Sequence, residues 1–164
     1  MISPKDVQRV AKRLERENMR FRVFLKNRVD PDDLDKKFNA LHKELFANYD
    51  CCQCGNCCRA YSTSLEDSEI GSIAAFLNMS IPDFTDKYLS EGSEGYIIKP
   101  PCPFFESDGK CAIQDCKPEE CSGFPYTDKP DRWSSLYSIL DFAEQCLVVF
   151  EMLERLKDMY RFRR

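Results

Sequence analysis

The chain has 164 residues, of which 43% are hydrophobic and 32% charged, with a net charge of −4 and one histidine. That length suits one packed core and is short for two. The acidic balance argues against nucleic-acid binding as the main task. A single histidine leaves little room for Ser–His or Cys–His nucleophilic chemistry, or for mixed Cys/His zinc sites.

In chain order, Ser3-Pro4 opens a helix whose apolar face runs through Val7, Val10, Ala11, Leu14, Phe21, Phe24 and Leu25. Asp30-Pro31 breaks it, and residues 32–48 form a second amphipathic helix with Leu34, Phe38, Leu41 and Leu45 on one stripe. These helices are expected to form a hairpin, residues 1–48, that packs on the same domain. The hairpin is basic, with twelve Lys/Arg against eight Asp/Glu, so it is the expected surface for an unknown protein partner. His42 falls inside the second helix and reads as a half-buried helical side chain rather than a ligand.

Residues 49–164 read as a second region, a cysteine-rich domain closed by a C-terminal helix. Ser64 to Asp67 carries a capping signal for a helix over 67–77, with Ile70, Ile73, Ala74 and Leu77 facing inward. Ile81-Pro82-Asp83 starts a short helix ending near Leu89, and residues 96–99 are the best strand candidate. Residues 100–130 are dense in Pro, Gly and Cys and need a staple. Residues 134–160 read as one long helix or two abutting ones. The fold class is therefore mainly α, with a loop-rich, metal-stapled cysteine core and minimal β. No apolar run approaches the roughly 20 residues of a membrane span. No secretory leader is visible at the N-terminus, so the expected location is the cytoplasm, where clustered thiols point to metal or redox chemistry rather than disulfides.

Ten cysteines are far more than packing requires. Five of them fall in eight positions: Cys51, Cys52, Cys54, Cys57 and Cys58. The spacing Cys51-x-x-Cys54-x-x-Cys57 reproduces three ligands of a ferredoxin-type run, and Cys102-Pro103 repeats the Cys-Pro of its fourth ligand. Zinc is the competitor, because CxxC pairs also suit tetrahedral structural zinc. A closed zinc site usually joins two such pairs, and the second half of this chain offers single cysteines, so a [4Fe–4S] cluster leads. Adjacent Cys57 and Cys58 cannot easily aim at one atom, so Cys58 is read as reaching a different iron or a separate site.

The run Cys51-x-x-Cys54-Gly55-x-Cys57-Cys58-Arg59 is followed by Cys102-Pro103-Phe104, Cys111-x-Ile113 and Pro118-x-x-Cys121-x-x-Phe124-Pro125. Together these motifs resemble the YkgJ-type cysteine-cluster family, a zinc- or iron-chelating domain, over roughly residues 50–146. The resemblance implies metal ligands at Cys51, Cys54, Cys57, Cys58, Cys102, Cys111, Cys121 and Cys146, with Cys52 and Cys116 as extras. The chain departs from the family pattern at Ile113-Gln114 and Lys117-Pro118, where Ile-Tyr and Arg-Pro are usual. The implied function is a metal-binding protein holding an iron–sulfur cluster or zinc, with a redox, sensing or assembly role. The alternative is an iron–sulfur-dependent modifying enzyme related to flagellin lysine N-methylase, although the chain shows no glycine-rich loop for a nucleotide-like methyl donor.

Overall fold

The computed structural model describes residues 2–162, with the side chains of Cys52 and Gln53 outside that description. The elements are α1 (Val7–Arg28), α2 (Pro31–Phe46), α3 (Cys51–Cys54), α4 (Asn56–Ala60), β1 (Thr63–Leu65), α5 (Asp67–Phe76), α6 (Ile81–Tyr88), β2 (Ser90–Gly92), β3 (Gly95–Ile98), α7 (Glu119–Gly123), α8 (Leu136–Phe142) and α9 (Leu147–Met159). The fold is mainly α with one small sheet. No described helix is long and apolar enough to cross a membrane. Contacts divide the chain into two compact units, residues 1–50 with 125–164, and residues 51–124.

The helical unit is built on α9, against which α1, α2 and α8 all pack. Pro4 starts a single 3₁₀ turn that runs into α1, whose Val7, Ala11, Phe21 and Leu25 are buried at helical spacing. Asp30 stops α1 and starts α2 at once. Its carboxylate accepts the Asp33 N–H at 2.9 Å, and Pro31 supplies the preset first-turn dihedral. On α2 the stripe Leu34, Phe38, Leu41 and Leu45 is buried, as its period requires. The segment 134–160 resolves into α8 and α9, separated at residues 143–146. Lys157, with no exposed surface, reaches Glu17 of α1 at 2.8 Å and also pairs with Glu154. His42 bonds Thr127 Oγ1 through Nδ1 at 2.9 Å, and its ring lies 4.6 Å from that of Phe46. Its role there is packing and hydrogen bonding.

The cysteine unit is organised by a three-stranded antiparallel sheet in the order β1-β3-β2, pairing Thr63 with Ile98 and Glu91 with Tyr96. Leu65, Ile70, Ile73, Ala74, Phe84, Ile98, Phe104 and Ile113 form its core. Glu66 and Glu69 make a reciprocal capping box at α5, while Ser80 caps α6 with Pro82 in the first turn. Strands β1 and β2 escaped the sequence reading because three residues are too few to display alternation. Cys102, Cys111 and Cys116 pack half-buried against this core, so the thiols sit on its margin.

Candidate metal centre

Three separate stretches carry the thiols of the cysteine unit. The first is the turn pair α3–α4. The N–H of Gly55 donates to Cys51 O at 3.0 Å, closing one helical turn over Cys51–Cys54. Gly55 then takes φ +61°, and α4 begins immediately, placing Cys57 and Cys58 in its first turn. Only glycine suits this position, for two reasons. The left-handed backbone disfavours a side chain, and a Cβ would stand 2.1 Å from Cζ of Phe105. Arg59 covers the same spot: its Nη1 donates to Cys54 O at 2.9 Å, and its guanidinium carbon lies 4.6 Å from the Phe105 ring centre. The Gly55–Phe105–Arg59 stack thus fastens the first thiol stretch to the second.

That second stretch runs from Cys102 to Cys116. The Cys102 N–H donates to Cys58 O at 2.7 Å, a direct backbone tie between the two segments. Phe105 and Cys111 form an antiparallel bridge, and the Ala112 N–H donates to Phe104 O at 2.8 Å. These bonds close a tight loop that returns Cys111 beside Cys102. Phe104 buries itself against Phe84 and Tyr88, with ring centres 6.3 and 4.9 Å away, which anchors the loop in the core. The third stretch is α7, which packs on β1 and holds Cys121. The Thr63 hydroxyl lies 3.2 Å from Cys121 Sγ. Acidic side chains secure this helix: Glu69 accepts the Glu119 N–H at 2.8 Å, and Glu120 accepts the Ser64 N–H.

Thiols of different stretches act on one another's ionisation. A hydrogen bond from the Cys58 thiol brings the Cys57 pKa down to about 6, against the opposing effect of burial, with further help from the Cys58 backbone N–H and the Lys117 charge. Cys58 moves the other way: the bond it donates to Cys57 holds its proton, burial adds to this, and the charges of Cys57, Cys102 and Cys121 add more. The adjacent pair therefore carries one negative charge and keeps one proton. Burial pushes the Cys102 thiol up, and proximity to Cys111 and Cys57 contributes. Burial also raises Cys121, partly offset by the Thr63 hydrogen bond and by Lys117. Cys116 is raised by burial and by neighbouring Asp115. Each of Cys57, Cys58, Cys102 and Cys121 is thus in electrostatic reach of others from a different stretch, and Cys111 joins through Cys102.

The remaining candidates are placed differently. Cys51 is exposed and Cys54 half-buried at the two ends of α3. Cys146 is buried at the N-cap of α9, in the helical unit. The side chain of Cys52 lies outside the described set. Among the described residues no group of three or more Cys, His, Asp or Glu side chains is already disposed around a single ion. The donor chemistry nevertheless suits a thiophilic group: Cys54, Cys57, Cys58, Cys102, Cys111 and Cys121 are unbridged thiols. Zinc or an iron–sulfur cluster is held by thiolates, so binding must displace protons that burial now retains. Thr63, Lys117 and the Phe105–Arg59 pair were not anticipated from sequence. Arg59, adjacent to the motif, and Lys117, a departure from the family pattern, were the positions that carried a signal there.

A family model described as CxxCxxCC, putative zinc- or iron-chelating domain, matches residues 50–147, well over half of the chain. The chain belongs to that family. No curated protein and no solved structure matches it.

Proposed function

We propose that this protein is an iron–sulfur protein whose cysteine unit holds a [4Fe–4S] cluster, and that it serves a redox, sensing or assembly role in a reducing compartment. The observation carrying the proposal is the convergence of Cys57, Cys58, Cys102, Cys111 and Cys121. These come from stretches up to 64 positions apart, yet each perturbs another's ionisation. The ligands drawn from this unit are Cys51, Cys54, Cys57, Cys58, Cys102, Cys111 and Cys121. Seven thiols exceed the four of one cluster, which leaves spare sulfurs for exchange or for a second centre. A bound cluster supplies one-electron chemistry, whereas zinc in the same place supplies only a cross-link.

The chain's own residues define the setting. Phe105 and Arg59 seal the Gly55 turn, Phe104 keeps one side dry, and the Thr63 hydroxyl and Lys117 ammonium offset thiolate charge. The test is anaerobic purification followed by absorption spectroscopy and analysis of iron, sulfide and zinc. The expected result is a brown protein with about four iron and four sulfide per chain. Stoichiometric zinc without sulfide replaces the cluster by zinc. A colourless, metal-free and fully folded chain overturns the metal-binding reading altogether.

A further inference from the structure

The cations of α1 divide into those with a task inside the helical unit and those without one. Arg22 lies over the Tyr137 ring at 5.8 Å from its centre, and Lys26 over the Trp133 ring at 3.3 Å. Arg9 pairs with Asp6 at 2.6 Å. Lys12, Arg13, Arg16 and Arg20 are exposed, and among the described residues none of them is in an ion pair. At 3.6 residues per turn these four and Arg9 fall on the side of α1 opposite the buried Ala11, Phe21 and Leu25. They make a ridge about 16 Å long.

Like charges three and four positions apart repel, and a helix face that only meets solvent tends to alternate its signs. Helices α2 and α9 of the same unit do so, with Lys37 on Asp33 and Arg155 on Glu151. The outer ridge of α1 holds no acid. Glu17 turns to the buried Lys157, and Glu15 stands at the flank, beside Asp141 and Glu144 of α8. Two apolar side chains share the exposed face, Met19 at 39% and Val23 at 51% exposure, one helical turn apart. Met19 lines a shallow groove with Arg16 and Arg20. Apolar contact bordered by arginine is the make-up of a protein interface, where charge steers the encounter and burial holds it.

The shape of the charge narrows the occupant. No ridge residue is aromatic, so nothing offers stacking to a single-stranded nucleic acid. A duplex or a membrane presents phosphates across a broad front, which would meet the carboxylates on the flank. A narrow rod avoids them, and a helix with carboxylates four positions apart repeats at about 6 Å, the interval from Arg16 to Arg20. We propose that the outer ridge of α1 docks an acidic amphipathic helix of another protein. Its carboxylates pair with Arg13, Arg16 and Arg20, and its apolar side chains cover Met19 and Val23. This surface belongs to the helical unit and is independent of which metal the thiols hold.

The test uses the full metal-loaded chain and three labelled probes: a helical peptide of about 16–20 residues with glutamate at every fourth position and leucine beside it, a DNA duplex, and phosphatidylserine vesicles. Fluorescence anisotropy should show saturable binding of the peptide that weakens about tenfold as salt rises from about 0.05 M to about 0.3 M. Amide NMR shifts should map to residues 9–27. Arg16→Gln with Arg20→Gln should weaken the peptide about tenfold. Met19→Ser with Val23→Ser should weaken it about threefold through lost apolar burial. All four positions are exposed, so the melting temperature should stay level in both variants. Tighter binding of the duplex or the vesicles than of the peptide overturns the proposal. So does peptide binding that ignores one or the other pair of changes, or the absence of saturable binding.

Discussion

Replacing Gly55 by alanine tests how the cysteine unit is held together. The added Cβ would lie 2.1, 2.6 and 2.8 Å from three Phe105 ring atoms, inside any tolerated contact, so the ring must move. The φ of +61° adds about 1–2 kcal/mol for a side chain in the left-handed region. Moving the ring also forfeits the Arg59 stacking, worth about 0.5–1 kcal/mol at a partly exposed site. Repacking of the displaced ring adds about 1 kcal/mol or more. The total is about 2.5–4 kcal/mol, or a fall of about 5–16 °C at 2–4 °C per kcal/mol for a chain of this size. Thermal melts of Gly55→Ala, Phe105→Ala and the double variant complete a cycle. Because Phe105→Ala removes the clash but leaves the backbone strain, the double variant should be less destabilised than the two single changes summed. Additive effects would refute the stack as described. Metal content should fall in Gly55→Ala as well, because the same stack ties the Cys51–Cys58 turns to the Cys102 loop.

Thiol reactivity follows from the Cys57–Cys58 pair. Cys57 is a thiolate above its pKa of about 6, so in the metal-free chain its alkylation, followed by mass spectrometry, should already be fast at pH 7. In Cys58→Ala the largest cause of that low value is gone, and the profile should shift toward the ordinary thiol range. An unmoved profile contradicts the assignment. Thr63→Val keeps the shape of the side chain but removes the partner of Cys121 Sγ, at a cost of about 1 kcal/mol. Cys121, already raised by burial, should then need a higher pH to react. Lys157→Met leaves Glu17 and Glu154 without their shared cation in the helical unit, and breaking such a buried pair costs about 3–5 kcal/mol. Denaturant melts should record that loss, and a change below about 1 kcal/mol would show that the triad is not a net anchor.

Elements set by local signals were legible in the residue order. Asp30-Pro31 both ended α1 and started α2, because a carboxylate cap and a preset proline dihedral act within one turn. The signals at Ser64–Asp67 and Ile81-Pro82-Asp83 placed α5 and α6, although the residues that cap them in the fold are Glu66 with Glu69, and Ser80. Each buried stripe, such as Leu34 to Leu45, followed from helical period alone. The thiol spacing likewise pointed to a soft metal, since ligand chemistry is a property of residue type.

What the chain order did not contain was who meets whom. That Phe105 closes over Gly55, that Thr63 reaches Cys121, or that the Cys102 N–H binds Cys58 O depends on loops closing across tens of residues. Closure of that kind is set by the sum of the core, not by any local pattern. The strands β1 and β2 belong here too, since three residues acquire extended structure only once β3 lies beside them. So does the split proton economy of Cys57 and Cys58, identical residues made opposite by one hydrogen bond. The sequence by itself determined the ligand chemistry and the helices, because both act over a few residues. The tertiary structure decided which segments meet and which thiols hold a proton, because burial and long-range contact exist only in the folded chain.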